Sequence, residues 1–192
     1  MKIREKYAKI KLKSDKKGIK MSNNAKIGIE IEKKYIIKMP DLSVLCTQDA
    51  YTESRILQIY LPSADGETLR IRKREHGGKI SYTETRKIRI DKMSSTEIER
   101  EITEEEFSSL SKSILSTTRP IEKTRHTFIY KEQLFEIDIY PEWKRTAIME
   151  TELDSRERTV DFPSFLEIVK DVTGDKSYSN RGMSHTFPKE QL

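Results

Sequence analysis

From Ile27 onward, apolar and polar residues alternate along most of the chain. A period of two is typical of β-strands, because successive side chains of a strand point to opposite faces of the sheet. The pattern predicts about eight strands. Turn-forming residues, such as those of Pro62–Gly66 and the Gly77-Gly78 pair, separate them. The first strand is predicted over residues 27–38, ending before Pro40.

Two segments carry apolar residues at helical spacing instead. The first starts with Thr103 and Glu106, a capping-box pair that precedes a run of apolar residues spaced three to four apart. The second is predicted over residues 161–174, with Gly174 as its C-terminal stop. Each predicted helix has an apolar stripe, which needs an apolar surface to pack against.

The polar faces of the predicted strands are sorted by charge. In the first strand Glu30, Glu32 and Lys34 share one face, while Ile29 and Ile31 share the other. The remaining polar faces are Gln58/Tyr60, Arg70/Arg72/Arg74, Glu99/Glu101, Lys123/Arg125, Glu136/Asp138 and Glu150/Glu152. One strand thus gives three arginines, and others give paired carboxylates. A surface adapted only for solubility would mix the two signs along each strand.

About eight antiparallel strands can close into a barrel in two ways. Either the apolar faces point inward and the charges meet water, or the charges point inward and helices cover an apolar exterior. The sorting of charge and the two amphipathic helices favour the second arrangement. The predicted fold class is therefore α+β, an eight-stranded antiparallel β-barrel or tunnel with a charged interior, flanked by a few helices.

Charges inside a barrel require compensation, since burying an unpaired charge is costly. Interior carboxylates suit a hard divalent cation such as Mg²⁺ or Mn²⁺, which prefers oxygen ligands. Interior arginines suit a polyphosphate, which they bind in bidentate fashion. Metal, polyphosphate and water together indicate phosphoryl transfer.

The distribution of charge indicates a boundary between a basic leader and the rest of the chain. The chain carries 36% charged and 34% hydrophobic residues and a net charge of +5. Residues 1–26 contain ten Lys or Arg against two acidic residues, so the basic character belongs to this leader. We interpret residues 1–26 as a flexible or helical leader and residues 27–192 as the folded domain. The lysines of the leader are not accompanied by an arginine or aromatic pattern, which does not favour nucleic acid as a partner.

One cysteine, Cys46, excludes an internal disulfide and fits a reducing compartment. We interpret it as a small buried apolar residue. No apolar run is long enough to span a bilayer, so we expect a cytoplasmic protein with no membrane partner.

The segment Glu30-Ile31-Glu32-Lys33-Lys34 resembles the ExExK signature of the CYTH superfamily, the triphosphate tunnel metalloenzymes. Six further pieces resemble that family in the same order along the chain. They are Leu69–Arg72, Glu99–Glu101, Ile121–Arg125, Glu136–Asp138, Glu150–Glu152, and Val172–Asp175 followed by Tyr178–Asn180. The resemblance runs from about Ile27 to the C-terminus and implies an eight-stranded tunnel that binds triphosphates with a divalent metal.

The resemblance also implies roles for individual residues. The metal-binding carboxylates would be Glu30, Glu32, Glu150 and Glu152, with Glu99, Glu101 and Asp138 as additional ones. The phosphate-binding groups would be Lys34, Arg70, Arg72, Lys123 and Arg125, with Arg181 near the end of the chain. A basic position on the fourth strand would be Arg86 or Lys87, and parity with Tyr82 favours Arg86 unless a bulge intervenes. Lys34 and Tyr60 would form a catalytic pair, with one pKa lowered so that it accepts a proton from water.

The resemblance implies Mg²⁺- or Mn²⁺-dependent hydrolysis of a triphosphate-containing small molecule. Inorganic triphosphate, giving pyrophosphate and phosphate, is the leading substrate. The alternatives are a class IV adenylyl cyclase that converts ATP to cyclic AMP, a thiamine or nucleoside triphosphatase, and a non-catalytic polyphosphate-binding module. A homodimer is expected if the helices leave part of the apolar barrel exterior bare.

Overall fold

The computed structural model describes residues 26–191. The leader predicted over residues 1–26 lies outside the described residues, apart from the backbone of Lys26 at the start of the first strand. Nine strands are described: β1 Lys26–Lys38, β2 Asp49–Leu61, β3 Glu67–His76, β4 Lys79–Arg89, β5 Ser94–Glu101, β6 Ile121–Tyr130, β7 Gln133–Ile139, β8 Thr146–Glu152 and β9 Ile168–Asp171. The helices are α1 Leu42–Leu45, α2 Glu104–Ser111 and α3 Asn180–His185, with a 3-10 turn at Lys176–Tyr178.

Eight of these strands close into a barrel. Their order is β5-β4-β3-β2-β6-β7-β8-β1, and β1 returns to pair with β5. Every neighbouring pair is antiparallel. The closed eight-stranded antiparallel barrel with a few helices confirms the predicted fold class.

Strand β1 closes the barrel by pairing with three partners. Its first half, residues 26–31, pairs with β5, and its second half, residues 32–38, pairs with β8. Strand β9 pairs with residues 35–37 of β1. The signature residues therefore sit on the strand that joins the two ends of the sheet.

Apolar packing covers the outside of the barrel, as the charged-interior arrangement requires. Over β2 and β3, Ile59, Leu61 and Ile71 pack with Phe107 of α2, whose capping box of Thr103 and Glu106 is formed. Over β1 and β6–β8, a second cluster contains Tyr35, Ile37, Leu45, Phe128, Phe135, Ile137, Met149 and Leu166. Both clusters bury the faces opposite the charged ones.

A third apolar cluster lies on the charged face itself, at one end of the strands. Ile36 and Ile148 continue the inward faces of β1 and β8, and they pack with Tyr140, Trp143 and others. Tyr178 and Met183, from the C-terminal segment, complete this cluster. It bounds the polar interior, so the charged groups are confined to one stretch of the barrel.

Two expectations about the exterior are wrong. The helix predicted over residues 161–174 is replaced by β9, because Ile168 and its β-branched neighbour Val169 extend the free edge of β1 instead of forming a helical stripe. Cys46 is exposed, since it follows the short helix α1, in which Leu45 alone is buried.

No other element covers the apolar side chains on the barrel exterior around the first half of β1 and the end of β4 within residues 26–191. Ile29 is 65% exposed, and Ile27, Ile88 and Ile90 are also exposed. This is the condition under which we expect a homodimer, and the dimer stays a prediction. Among residues 26–191, none of the helices is both long and apolar enough to cross a bilayer.

Candidate active site

A cavity of about 770 Å³ occupies the barrel interior and is lined mainly by charged side chains. Twelve of the predicted site residues line it: Glu30, Glu32, Lys34, Tyr60, Arg70, Arg72, Lys87, Glu99, Arg125, Glu150, Glu152 and Arg181. The cavity therefore gathers acidic and basic side chains from strands that are far apart in the sequence.

Strand register explains this convergence, because residues directly opposite each other on antiparallel strands point to the same face. Lys34 lies opposite Glu150, and Glu32 lies opposite Glu152. On the other side of the barrel, Arg70 lies opposite Tyr60.

A continuous network of ion pairs fills one wall of the cavity. Glu150 bonds Lys34 Nζ through Oε1 at 2.7 Å and Arg125 Nη2 through Oε2 at 2.9 Å. Arg125 also pairs with Glu136 and, through Nε at 2.6 Å, with Asp138 Oδ1. Burial alone would raise the pKa of Glu150, but Lys34 and Arg125 hold it well below its usual range. The cations and carboxylates of this wall therefore compensate one another's charge.

Known structures share this architecture. The inorganic triphosphatase NE1496 matches with a TM-score of 0.53 and 25% identity, over 90% of this chain and 100% of that one. A second structure, of the hypothetical protein NE1496, gives 0.51 and 26%, over 83% and 99%. The likenesses support the CYTH resemblance.

The fold alone is shared with PH1819 from Pyrococcus horikoshii OT3, at a TM-score of 0.51 and 23% identity over 67% of this chain and 80% of that one. No protein-family model and no curated protein sequence matches the chain.

Four residues that the CYTH resemblance suggests do not line the cavity. Arg86 points outward and bonds Glu67 Oε2 at 2.8 Å. Its neighbour Lys87 points inward, because Lys87 and Thr85 lie opposite Thr68 and Arg70. The choice of Arg86 by parity with Tyr82 is wrong, since Tyr82 faces outward and packs against Phe107 of α2.

Lys123 and Asp138 lie beneath the cavity, with side chains that are 0% exposed. They pair with each other, and Asp138 also accepts from Arg125. The placement does not support direct contact of Lys123 with phosphate or of Asp138 with metal, because neither reaches the cavity. Glu101 shares the inward parity of Glu99, but it ends β5 and is exposed.

Two carboxylates on the inward faces of strands that line the cavity were not assigned to the site from the sequence. Glu97 pairs with Lys87 Nζ at 2.8 Å and Arg70 Nη2 at 3.5 Å. Burial would raise the pKa of Glu97, but these two cations lower it to about 2. Alternation with Glu99 could have revealed Glu97. The other is Glu136, whose inward face was recognised without a site role.

The predicted lowering of a pKa in the Lys34–Tyr60 pair is not found. Burial alone would lower the pKa of Lys34, but Glu150 and Glu32 raise it above its ordinary value. Burial raises the pKa of Tyr60, against the opposing effect of Arg70 and its cationic neighbours. Both groups are therefore protonated at neutral pH. That the pair accepts a proton from water stays a prediction, although neither group is deprotonated at neutral pH.

The carboxylates of β1 and β8 have the chemistry that a divalent cation needs. Within residues 26–191, no three acidic, histidine or cysteine side chains are close enough together to form a metal cluster. Even so, Glu32 stands directly opposite Glu152, which places two carboxylates side by side, near the cations Lys34 and Lys87. Burial, Glu97 and Glu152 raise the pKa of Glu30 to about 7. Oxygen donors that repel each other fit Mg²⁺ or Mn²⁺.

The pKa of Glu30 predicts how stability depends on pH in metal-free protein. Between its ordinary value of 4.5 and about 7, folded Glu30 retains a proton that the unfolded chain has released. Stability should therefore fall as pH rises through this window. Glu30→Gln removes the free-energy cost of ionising Glu30 in the folded protein, which is on the order of 2–3 kcal/mol. In EDTA at pH 8 the variant should melt several degrees above wild type, and near pH 4 the two should coincide.

Calorimetric unfolding scans across pH measure this effect. Glu122→Gln, on the exposed outer face of β6, is the control and should leave the pH dependence unchanged. If the melting temperature of Glu30→Gln exceeds that of wild type by the same amount at pH 4 and pH 8, the Glu30 carboxyl does not titrate as described.

Proposed function

We propose that the protein is a divalent-metal-dependent triphosphatase whose leading substrate is inorganic triphosphate. The observation that carries this proposal is the pair of arginines on β3. Nε of Arg70 and Nε of Arg72 are buried and find no hydrogen-bond partner among residues 26–191. Buried donors without acceptors are costly, and phosphate oxygens would satisfy them.

The charge around Arg72 supports an anionic ligand. Burial, together with the nearby cations Arg70 and Arg125, lowers the pKa of Arg72 to about 10. Arg72 forms no ion pair within the described part of the chain, whereas Arg125 contacts three carboxylates. A polyphosphate would supply the missing negative charge.

The lining of the cavity favours an inorganic substrate over a nucleotide. Tyr60 is the single Phe, Tyr or Trp among the cavity-lining residues of the described region, and its hydroxyl bonds Gln58. A stacking surface for a nucleobase would need an aromatic face. The neighbour NE1496, at 25% identity, is described as an inorganic triphosphatase.

The reaction requires attack of water on the terminal phosphorus. A new P–O bond forms to the water oxygen while the bond to the bridging oxygen breaks, and its electron pair leaves with pyrophosphate. One water proton is released at neutral pH. Arg70, Arg72 and Lys34 would neutralise the phosphate oxygens, which bear the charge of the transition state.

Glu30, Glu32 and Glu152, which do not form a cluster of three within residues 26–191, would move closer together to hold the metal. When bound, a divalent cation neutralises charge on the phosphates and lowers the pKa of a coordinated water. The side chains of the chain itself orient the substrate, so that the scissile bond faces the attacking oxygen.

A phosphate-release screen tests the proposal. Inorganic triphosphate, ATP and thiamine triphosphate are each supplied with Mg²⁺ or Mn²⁺, and cyclic AMP is measured alongside. We expect the fastest release from inorganic triphosphate, loss of release in EDTA, and at least a roughly 10²-fold loss of kcat in Glu32→Gln. Formation of cyclic AMP, or no release from any substrate, would contradict the proposal.

A further inference from the structure

Gln58 lies fully buried between two groups that line the cavity. Its Oε1 accepts from Arg72 Nη2 at 3.1 Å, and its Nε2 lies 2.6 Å from the Tyr60 hydroxyl. The side chain is on the inward face of β2, directly opposite Arg72 and two residues before Tyr60. It therefore connects the arginine and the tyrosine through one amide.

The chemistry of the three groups fixes the direction of both hydrogen bonds. A guanidinium has donors and no acceptor, so the atom that Arg72 contacts must be the amide oxygen. The amide nitrogen then faces Tyr60, and an amide nitrogen donates and does not accept. The Tyr60 oxygen is consequently the acceptor, and its own hydrogen must point away from Gln58.

The Tyr60 hydrogen has no acceptor among residues 26–191, and the side chain lines the cavity. The raised pKa of Tyr60 keeps that hydrogen in place at neutral pH. Because Gln58 is neutral, it orients Arg72 without cancelling its charge, in contrast to the carboxylates around Arg125. Two groups that can bind an anion are thus aimed at the cavity by one residue.

We propose that Gln58 is a positioning residue that fixes Tyr60 as a hydrogen-bond donor, and Arg72 as an uncompensated cation, toward the same anionic substrate. This inference rests on the proposed function for its substrate, a triphosphate. It assigns Tyr60 a role opposite to that of a proton acceptor.

Two substitutions separate positioning from packing. In Gln58→Glu, the carboxylate accepts from both Arg72 and the Tyr60 hydroxyl, so the tyrosine hydrogen turns away from the cavity and Arg72 is neutralised. In Gln58→Met, the buried Arg72 loses its acceptor, but the Tyr60 hydrogen stays free to reach the substrate. A positioning role therefore predicts that Gln58→Glu is the less active of the two variants and that Gln58→Met is the less stable one.

We expect Gln58→Glu to lower kcat roughly 10²-fold while keeping the melting temperature near that of wild type. Gln58→Met should lower kcat only several-fold while reducing the melting temperature. Tyr60→Phe should lose kcat, and Gln58→Glu should cost less in that background than alone. Gln48→Glu, the same change outside the cavity, controls for added charge and should have wild-type kcat.

Gln58→Met losing as much kcat as Gln58→Glu, or more, would overturn the proposal. If wild type hydrolyses no triphosphate, the proposed function fails separately. Calorimetric binding of tripolyphosphate then decides the role of Gln58. Weaker binding by Gln58→Glu than by Gln58→Met would support positioning, and the reverse order would overturn it.

Discussion

Asp138→Asn is expected to destabilise the protein by roughly 3–5 kcal/mol, because it leaves the buried Lys123 without its ion-pair partner and removes one of the three carboxylates that contact Arg125. Asp138 is fully buried and accepts from Arg125 Nε and Nη2, each at 2.6 Å, and from Lys123. The amide has almost the same shape but no charge. For a domain of this size, such a loss corresponds to a fall in melting temperature of about 10 °C or more.

The same carboxylate predicts a loss of stability in acid. Burial alone would raise the pKa of Asp138, but Arg125 and Lys123 lower it below its ordinary value. Its contribution is therefore present at neutral pH and lost as pH falls through the lowered pKa. Asp138→Asn should show less of this acid sensitivity than wild type.

Thermal and denaturant unfolding measure the change. Asp154→Asn is the matched control, since Asp154 is half exposed and pairs with Arg158 on the surface. Its effect should stay within about 1 kcal/mol. Adding Lys123→Met to Asp138→Asn should recover part of the loss, because it removes the buried cation that has lost its ion-pair partner. An Asp138→Asn variant as stable as the control would show that the buried network does not support the fold.

Arg72→Met is expected to lower kcat/KM for inorganic triphosphate roughly 10³-fold, since it removes a cation that no carboxylate compensates. The same substitution should leave the melting temperature unchanged or raise it. Burial and the charges of Arg70 and Arg125 lower the pKa of Arg72 to about 10, which means that folding disfavours its charged form. Activity and stability should therefore move in opposite directions.

Arg74→Met is the matched control for this prediction. Arg74 lies on the same face of β3, does not line the cavity, and bonds Ser54 Oγ at 3.0 Å. Its replacement should change kcat/KM only a few-fold. Steady-state kinetics with both variants, together with melting curves, make the comparison. Turnover within ten-fold of wild type in Arg72→Met would mean that this cation does not bind the reacting phosphate.

The faces of the strands could be predicted from the sequence because alternation is a local property. Glu30, Glu32 and Lys34 share the cavity face for this reason, and so do Arg70 and Arg72. The sorting of charge by strand then indicated that these faces point inward.

The pairing of the strands and the depth at which each side chain lies could not be predicted, because both depend on the register between distant strands. Nothing near Lys123 or Asp138 in the sequence shows that they lie below the cavity instead of in its wall. The choice between Arg86 and Lys87 depended on Tyr82, whose outward position is set by Phe107 in a later helix. Likewise, the strand at Ile168 forms because β1 offers it an edge, which the sequence of residues 161–174 does not reveal.

The closure of the barrel by β1 has a consequence for biosynthesis. Glu32 leaves the ribosome about 120 residues before its partner Glu152, which amounts to roughly 6–24 s of translation. During that interval the isoleucines of β1 have no finished sheet to join. The first half of β1 can pair once β5 has emerged, but the second half waits for β8, and its exposed apolar residues would suit a chaperone that binds growing polypeptides.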